Sequence, residues 1–264
     1  MPEKCQVCLQ ANGNIRCLSC QTCHTWCGPC AVRSHVHHPF HRMQRWMGQF
    51  YNNITLHDLG YVLNLGHNGH SCPNNMEESG GNWFCDHFTI IHSTGIFVHR
   101  LNWCRCNDEK VEDQHLQLLR FGIFPSTVIK PQTAFTFDVL DHFLIDSLEC
   151  KTSARSFYQK LCQLSNNAFL DSLPVSLSTT ACFLLYIVIQ DRYRELLRVS
   201  WMWRDLSNRK QAGFGHDTER YPGPGDLAIS CPSCPQPGIN LPENWREVYT
   251  RFLFFSICGQ GFDY

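Results

Sequence analysis

The chain has 264 residues, 43% of them hydrophobic and 12% aromatic, and a formal net charge of −1. That length fits one large or two modest domains, and the neutral balance excludes a uniformly basic or acidic protein, so contact with a polyanion would have to be local. Seventeen cysteines behind a start that reads Met1-Pro2-Glu3-Lys4, with no apolar leader, point to a reducing compartment and away from a secreted disulfide scaffold.

The first element in chain order carries most of the chemistry. Cys5-x2-Cys8, Cys17-x2-Cys20 and Cys27-x2-Cys30 are three knuckles, followed by His35 and His41 with His37 and His38 between them. A Cys-x2-Cys turn presents both sulfurs to one ion, so six thiolates and two imidazoles make two tetrahedral zinc sites. The pairing that keeps so short a chain compact is interleaved, first knuckle with third and second knuckle with the histidines, although spacing alone does not fix it. Cys23 is a seventh thiol, a spare or a local substitute for Cys20. The apolar residues here are few (Val7, Leu9, Ile15, Leu18 and Trp26), so folding is expected to require metal. Residues 1–50 hold Lys4, Arg16, Arg33, Arg42 and Arg45 against Glu3, a surface that suits nucleic acid without demanding it.

Phe50, Tyr51, Leu56, Leu59, Val62 and Leu65 then read as core. They lead into Gly66-His67-Asn68-Gly69-His70-Ser71-Cys72, a Gly-rich loop and a second candidate half-site. Phe88–Trp103 reads as two β runs around a turn, with Ile96, Val98 and Leu101 inward, ending at Cys104-Arg105-Cys106. That pair could share an ion with His67 and Cys72, or with the later knuckle Cys231-x2-Cys234. Buried cysteines without metal are the competing reading.

Helices follow. Leu116 and Leu119 mark a short one stopped by Gly122 and Pro125; Phe137, Leu140, Leu144 and Leu148 mark the next. Asp138, Asp141 and Asp146 belong to its polar face and are not read as a catalytic set. Ser153–Leu164 is a third helix, with Phe157, Leu161 and Leu164 inward. Residues 175–190 look foreign: too short to span a bilayer, readable as a buried strand, and best explained as translated intron. Val175-Ser176 can be encoded by a splice-donor sequence and Gln190 by an acceptor, and sixteen codons keep the frame. Asp191–Leu206 is a helix with Tyr193, Leu196, Leu197, Trp201 and Trp203 as its apolar contacts and a basic face whose arginines suit either solvent or phosphate. Gly213–Gly225 is a loop, and Phe252–Ile257 reads as a strand.

Taken together, these motifs resemble the cysteine-cluster domain associated with fungal KDZ (Kyakuja–Dileera–Zisupton) transposases. The carriers are the knuckles with His35, Pro39-Phe40-His41-Arg42 and Trp46, then Leu65-Gly66-His67, Thr94-Gly95-Ile96 and Cys104-Arg105-Cys106. Gln117-Leu118-Leu119-Arg120, Phe124-Pro125, Pro131–Thr136 and the block from Cys231 to Pro242 continue the resemblance. It implies a zinc-chelating accessory region of a mobile-element protein, acting on DNA in the nucleus. The family's catalytic core would begin after Pro242 with metal-binding carboxylates that this chain does not supply, so the chain reads as truncated and not itself an enzyme.

The expected architecture is therefore α+β: a cross-braced zinc module over residues 1–50, a mixed β-hairpin and helical cysteine-cluster domain over 51–242, and the start of a transposase core over 243–264. Zinc is the expected cofactor and DNA the expected partner, with no membrane association. The Cys/His spacing is also similar to B-box-type modules, which implies a protein partner as the alternative. A zinc hydrolase is disfavoured, since four protein ligands close each site.

Overall fold

The computed structural model describes residues 3–21, 24–73, 84–106, 114–165, 179–215 and 219–227, with 179–191 as backbone. The chain is α+β and divides into two compact units, Met1–Asp205 and Leu206–Tyr264. In the second, the Phe214 N–H donates to the Arg209 carbonyl, and the Arg220 guanidinium lies 4.7 Å above the Phe214 ring. Everything below concerns the first.

Short strands β1 (Glu3–Lys4) and β2 (Asn12–Gly13) pair antiparallel beside a four-stranded antiparallel sheet. That sheet is built from β3 (Ile15–Cys17), β4 (Thr25–Trp26), β5 (Met43–Trp46) and β6 (Tyr51–Ile54), in the order β4-β3-β5-β6. Helix α1 (Gly28–Ser34) follows β4. The period of two sends Ile15, Cys17 and Met43 into the core, while Arg16, Gln44 and Asn53, paired in register, face the other way. Because the β5–β6 hairpin straddles residue 50, the N-terminal sheet runs on to Ile54.

A five-stranded mixed sheet follows, made of β7 (Val62–Asn64), β8 (Phe84–His92), β9 (Gly95–Asn102), β10 (Ile123–Pro125) and β11 (Thr133–Thr136). Its order is β10-β11-β8-β9-β7, with β7 parallel to β9 and β11 parallel to β8. The expected β8–β9 hairpin turns at Ser93 and Thr94. Both faces of this sheet are covered, which removes the clean alternation that a half-exposed strand would show. Phe88, Ile90, Leu101 and Ala134 join one core with Ile15, Trp26, Met43 and Tyr61. Ile91, Ile96, Phe124 and Phe135 join another, with the helices. The expected inward set Ile96, Val98 and Leu101 is thus corrected: strand parity puts His99 and Leu101 on one face and Ile96 on the other.

Four more helices lie among the described residues: α2 (Gln114–Arg120), α3 (Phe137–Glu149), α4 (Ala154–Ser165) and α5 (Thr179–Gln211), whose last turns belong to the second unit. The Thr136 hydroxyl accepts from the Val139 N–H and caps α3. The helices are where expected, but several of their inward faces are rotated. Leu118 is buried and Leu116 exposed; Val139, Leu140 and Phe143 are buried and Leu148 exposed; Leu164 is exposed while Tyr158 and Cys162 join Phe157 and Leu161. On α5, Leu196 and Val199 are buried, and Leu197 and Trp201 face out. Residues 179–190 are helical, which replaces the strand reading, and no described helix is long and apolar enough to cross a membrane. The α3 carboxylates do not converge: Asp141 accepts from the Trp203 indole N–H, and Asp146 pairs with Lys160 at 2.9 Å.

Candidate metal centres

The fold assembles three sets of four donors, in each of which all ligand atoms lie within 4.8 Å of one another. A four-coordinate ion with metal–sulfur bonds of about 2.3 Å holds its sulfurs about 3.8 Å apart. The Cys8–Cys27 separation is 3.9 Å and the Cys72–Cys106 separation 3.6 Å, so the cages have the right size for one ion each.

The first set joins Cys5, Cys8, Cys27 and Cys30. Cys5 follows β1, and its carbonyl accepts from the Leu9 N–H at 2.8 Å, closing the knuckle over a left-handed Leu9 (φ 58°). Gly13 is required opposite, because a Cβ there would meet the Thr25 hydroxyl at 2.9 Å and the Cys5 backbone at 3.1 Å. Cys27 is the N-cap residue of α1, and Cys30 sits in its first turn. Although burial opposes ionisation, backbone N–H groups of Cys8, Cys27 and Val7 hold the Cys5 thiol down at about 6. Hydrogen bonding to the Cys27 sulfur, with burial, pushes Cys30 up to about 12. The sulfurs thus compete: some favour the thiolate at their neighbours' expense, a conflict that a cation at the centre removes.

The second set joins Cys17, Cys20, His35 and His41. Burial raises the Cys17 thiol, but hydrogen bonding with His35, followed by the backbone N–H groups of Ser19 and Cys20 that donate to its sulfur at 3.3 Å each, outweighs it and lowers the thiol. His35, 1% exposed at the end of α1, places Nδ1 2.8 Å from the Ala31 carbonyl. Donating there fixes the tautomer and leaves Nε2 free to face the Cys20 sulfur at 3.4 Å, the outer-shell arrangement of a metal-binding imidazole. His41 uses its other nitrogen, with Nδ1 lying 3.5 Å from Cys17 and 3.4 Å from Cys20. The strap after it is held by the Leu18 N–H on the Arg42 carbonyl, 2.8 Å.

The third set joins His67, Cys72, Cys104 and Cys106. Its origin is a strand register. Parallel β7 and β9 align Asn64 with Asn102, so three residues further on His67 arrives opposite Arg105, between the two cysteines. His67 Nε2 is 3.3 Å from Cys104 Sγ and 3.1 Å from Cys106 Sγ. Two amides brace the site: Gln117 accepts from the Cys104 N–H and donates to the Cys104 carbonyl, and Asn64 donates to the Gly69 carbonyl. Contact with the Cys72 sulfur, then burial, pushes Cys106 up to about 11. Asn64 carried no signal in the sequence, and Gln117 figured there only within a block of the resemblance, with no role at the site.

Gly66 turns the chain into this set with φ 92° and ψ −178°. A Cβ would sit 3.3 Å from Cys104 Cβ in a backbone region that only glycine occupies readily. Gly66→Ala is therefore expected to cost about 1–3 kcal/mol and to displace the His67 loop from its cysteines. Thermal melts with metal analysis check this; unchanged metal content and melting would refute it.

Of the cysteines and histidines marked as candidate ligands from the sequence, twelve fall into these sets. Cys231 and Cys234 lie outside the described residues, as do Cys23 and the strand expected at 252–257. The molecule is thus an α+β protein braced by Cys/His cages. Residues 56–169 match the family model described as "CxC2 like cysteine cluster associated with KDZ transposases", which bears out the resemblance over that stretch. The match takes in the whole third set and the five-stranded sheet, apart from the first two sets. No curated protein and no solved structure matches the chain.

Proposed function

We propose that the chain is a noncatalytic, zinc-stabilised module that binds or targets DNA in the nucleus on behalf of a KDZ-type transposase. The observation that carries this is the family match spanning His67, Cys72, Cys104 and Cys106. Zinc fits the donor chemistry, since all-thiolate and mixed thiolate–imidazole cages of four are its structural sites. Four protein donors per set leave no position for a substrate or water, which supports a structural role for the metal. The excess of Lys4, Arg16, Arg33, Arg42 and Arg45 over Glu3 supports a phosphate-bearing partner.

A second reading is a B-box-like protein-interaction module. It is favoured by the cross-braced order of the first two sets, in which Cys17 and Cys20 fall between the halves of the other.

Two measurements test the proposal. Elemental analysis is expected to return three zinc ions per chain, falling by one in Cys104→Ser. Binding to duplex DNA is expected to weaken steeply with salt, by about 150-fold between 50 and 200 mM if about four phosphates are neutralised. Salt-independent capture of a protein partner, with no DNA binding, would decide for the second reading.

A further inference from the structure

On the outward face of the β3–β6 sheet the side chains form one continuous rack, half-buried at Arg16, Gln44, Trp46 and Tyr51 and exposed at Asn53. The Trp46 and Tyr51 rings meet at 4.9 Å, and the Arg16 guanidinium lies 3.6 Å above the Tyr51 ring. The same guanidinium donates to the Gln44 amide oxygen at 2.8 and 3.0 Å, and Gln44 donates to the Asn53 oxygen at 2.9 Å. Flat groups are thereby fixed in place by hydrogen bonds, with their order set by the strand register Arg16–Gln44–Asn53. At the hairpin tip Phe50 is 61% exposed and Met47 56%, apolar surface with no structural use. At the other end Gln44 and Asn53 open into a cleft of about 630 Å³ whose walls include Arg42, Lys160 and Gln163.

This combination selects among ligands. The exposed Phe50 ring, the half-buried Trp46 and Tyr51 rings and a guanidinium plane offer stacking; Gln44 and Asn53 offer paired donors and acceptors; Arg16 and Arg42 offer positive charge. Among the described residues the sheet face carries no carboxylate. Asp58 at the cleft is engaged by the Thr55 N–H and hydroxyl, and Asp146 by Lys160. An apolar protein surface would waste the amide ladder, and a duplex keeps its bases stacked inside, away from Trp46 and Phe50. A single strand presents bases to stack and phosphates to pair, and it reads a flat sheet of this kind in other folds. Resting on the nucleic-acid reading above, we infer that the β3–β6 face with its adjoining cleft binds single-stranded nucleic acid, with bases on Trp46, Phe50 and the Arg16 plane and the backbone passing Arg42.

The test is fluorescence polarisation of the full zinc-loaded chain with a labelled twelve-residue oligo-dT, its oligo-U counterpart and a duplex of the same length. The single strands are expected to bind more tightly than the duplex, and comparison of oligo-dT with oligo-U tells DNA from RNA. Trp46→Ala is expected to weaken single-strand binding roughly tenfold, with Trp46→Phe restoring most of it. Phe50→Ser, at an exposed position that cannot unfold the sheet, is expected to cost about threefold. Preferred binding of duplex, untouched by these substitutions, would overturn the single-strand assignment while leaving DNA binding standing. No binding to any of the three would overturn both.

Discussion

Cys27→Ser is expected to unfold the N-terminal sheet, the largest single effect in the molecule. Residues 3–54 bury little that would hold them without metal: Val7, Leu9 and Leu18 are exposed, leaving Ile15, Trp26, Ala31 and Met43 as the main inward apolar side chains. Structural zinc in small modules contributes about 10–16 kcal/mol of apparent binding free energy, which is also their folding free energy. Removing one of four thiolates forfeits much of that and leaves three crowded sulfurs without their counter-charge. Cys27 has a second duty, since its carbonyl accepts from the Ala31 N–H at 2.9 Å and starts α1, the helix that also delivers Cys30 and His35. The damage should spread, because Cys5, Cys27 and Cys30 share a core with Leu63, Phe88 and Leu101. Cys104→Ser should be milder, as His67 and Cys106 sit at the surface and the five-stranded sheet beside them has apolar packing of its own. Hydrogen exchange resolved along the chain, with metal analysis, reads both. A Cys27→Ser protein that binds as much metal as the wild type and keeps its protected amides in β3 and β5 would contradict this account.

What could be read from the chain alone divides along the range of the forces involved. The donor residues announced themselves because a knuckle is local: two cysteines three apart, turned by backbone N–H bonds such as those of Ser19 and Cys20 to Cys17. The β8–β9 hairpin and the helices were legible for the same reason. For Cys104 and Cys106 the sequence left two candidate partners, His67 with Cys72 or Cys231 with Cys234; the first is the one assembled, through the parallel register of β7 and β9, which joins residues thirty-eight apart in sequence. Helix faces were misjudged where leucine spacing competed with other inward residues: α3 buries Val139 and Phe143 in place of Leu148, and α5 buries Val199 in place of Trp201. Two covered sheet faces likewise erased the alternation that would have marked His99 as an interior residue.

His99 makes the fold acid-sensitive through a residue that belongs to none of the donor sets. It is 1% exposed, packed edge-on to Tyr61 at 5.6 Å and Phe40 at 6.0 Å and stacked with Phe97 at 6.2 Å, and among the described residues neither ring nitrogen makes a hydrogen bond of normal geometry. The hydroxyl of the neighbouring Tyr61 donates to the Val36 carbonyl. Burial, with the positive influence of His57, lowers the imidazole from 6.5 to about 4, against a smaller opposing pull from Pro39. The sign follows from linkage. Above pH 6.5 neither folded nor unfolded His99 is charged, and the group leaves stability unchanged. As pH falls from 6.5 toward 4 the unfolded chain takes up a proton that the folded chain refuses, so stability is lost across that window. Its full extent is about 3 kcal/mol, from roughly two and a half units at 1.36 kcal/mol each. The cysteine and histidine donors also protonate in acid, so the informative quantity is the difference between wild type and His99→Leu at each pH. Leucine removes the titrating group and the unsatisfied nitrogens together, and is expected to match the wild type within about 1 kcal/mol at pH 7.5. At pH 5 the variant should be the more stable by about 2 kcal/mol, measured by denaturant unfolding. Parallel stability curves for the two proteins from pH 7.5 to pH 5 would mean that His99 keeps its proton affinity on folding, and that the aromatic box around it is open to water.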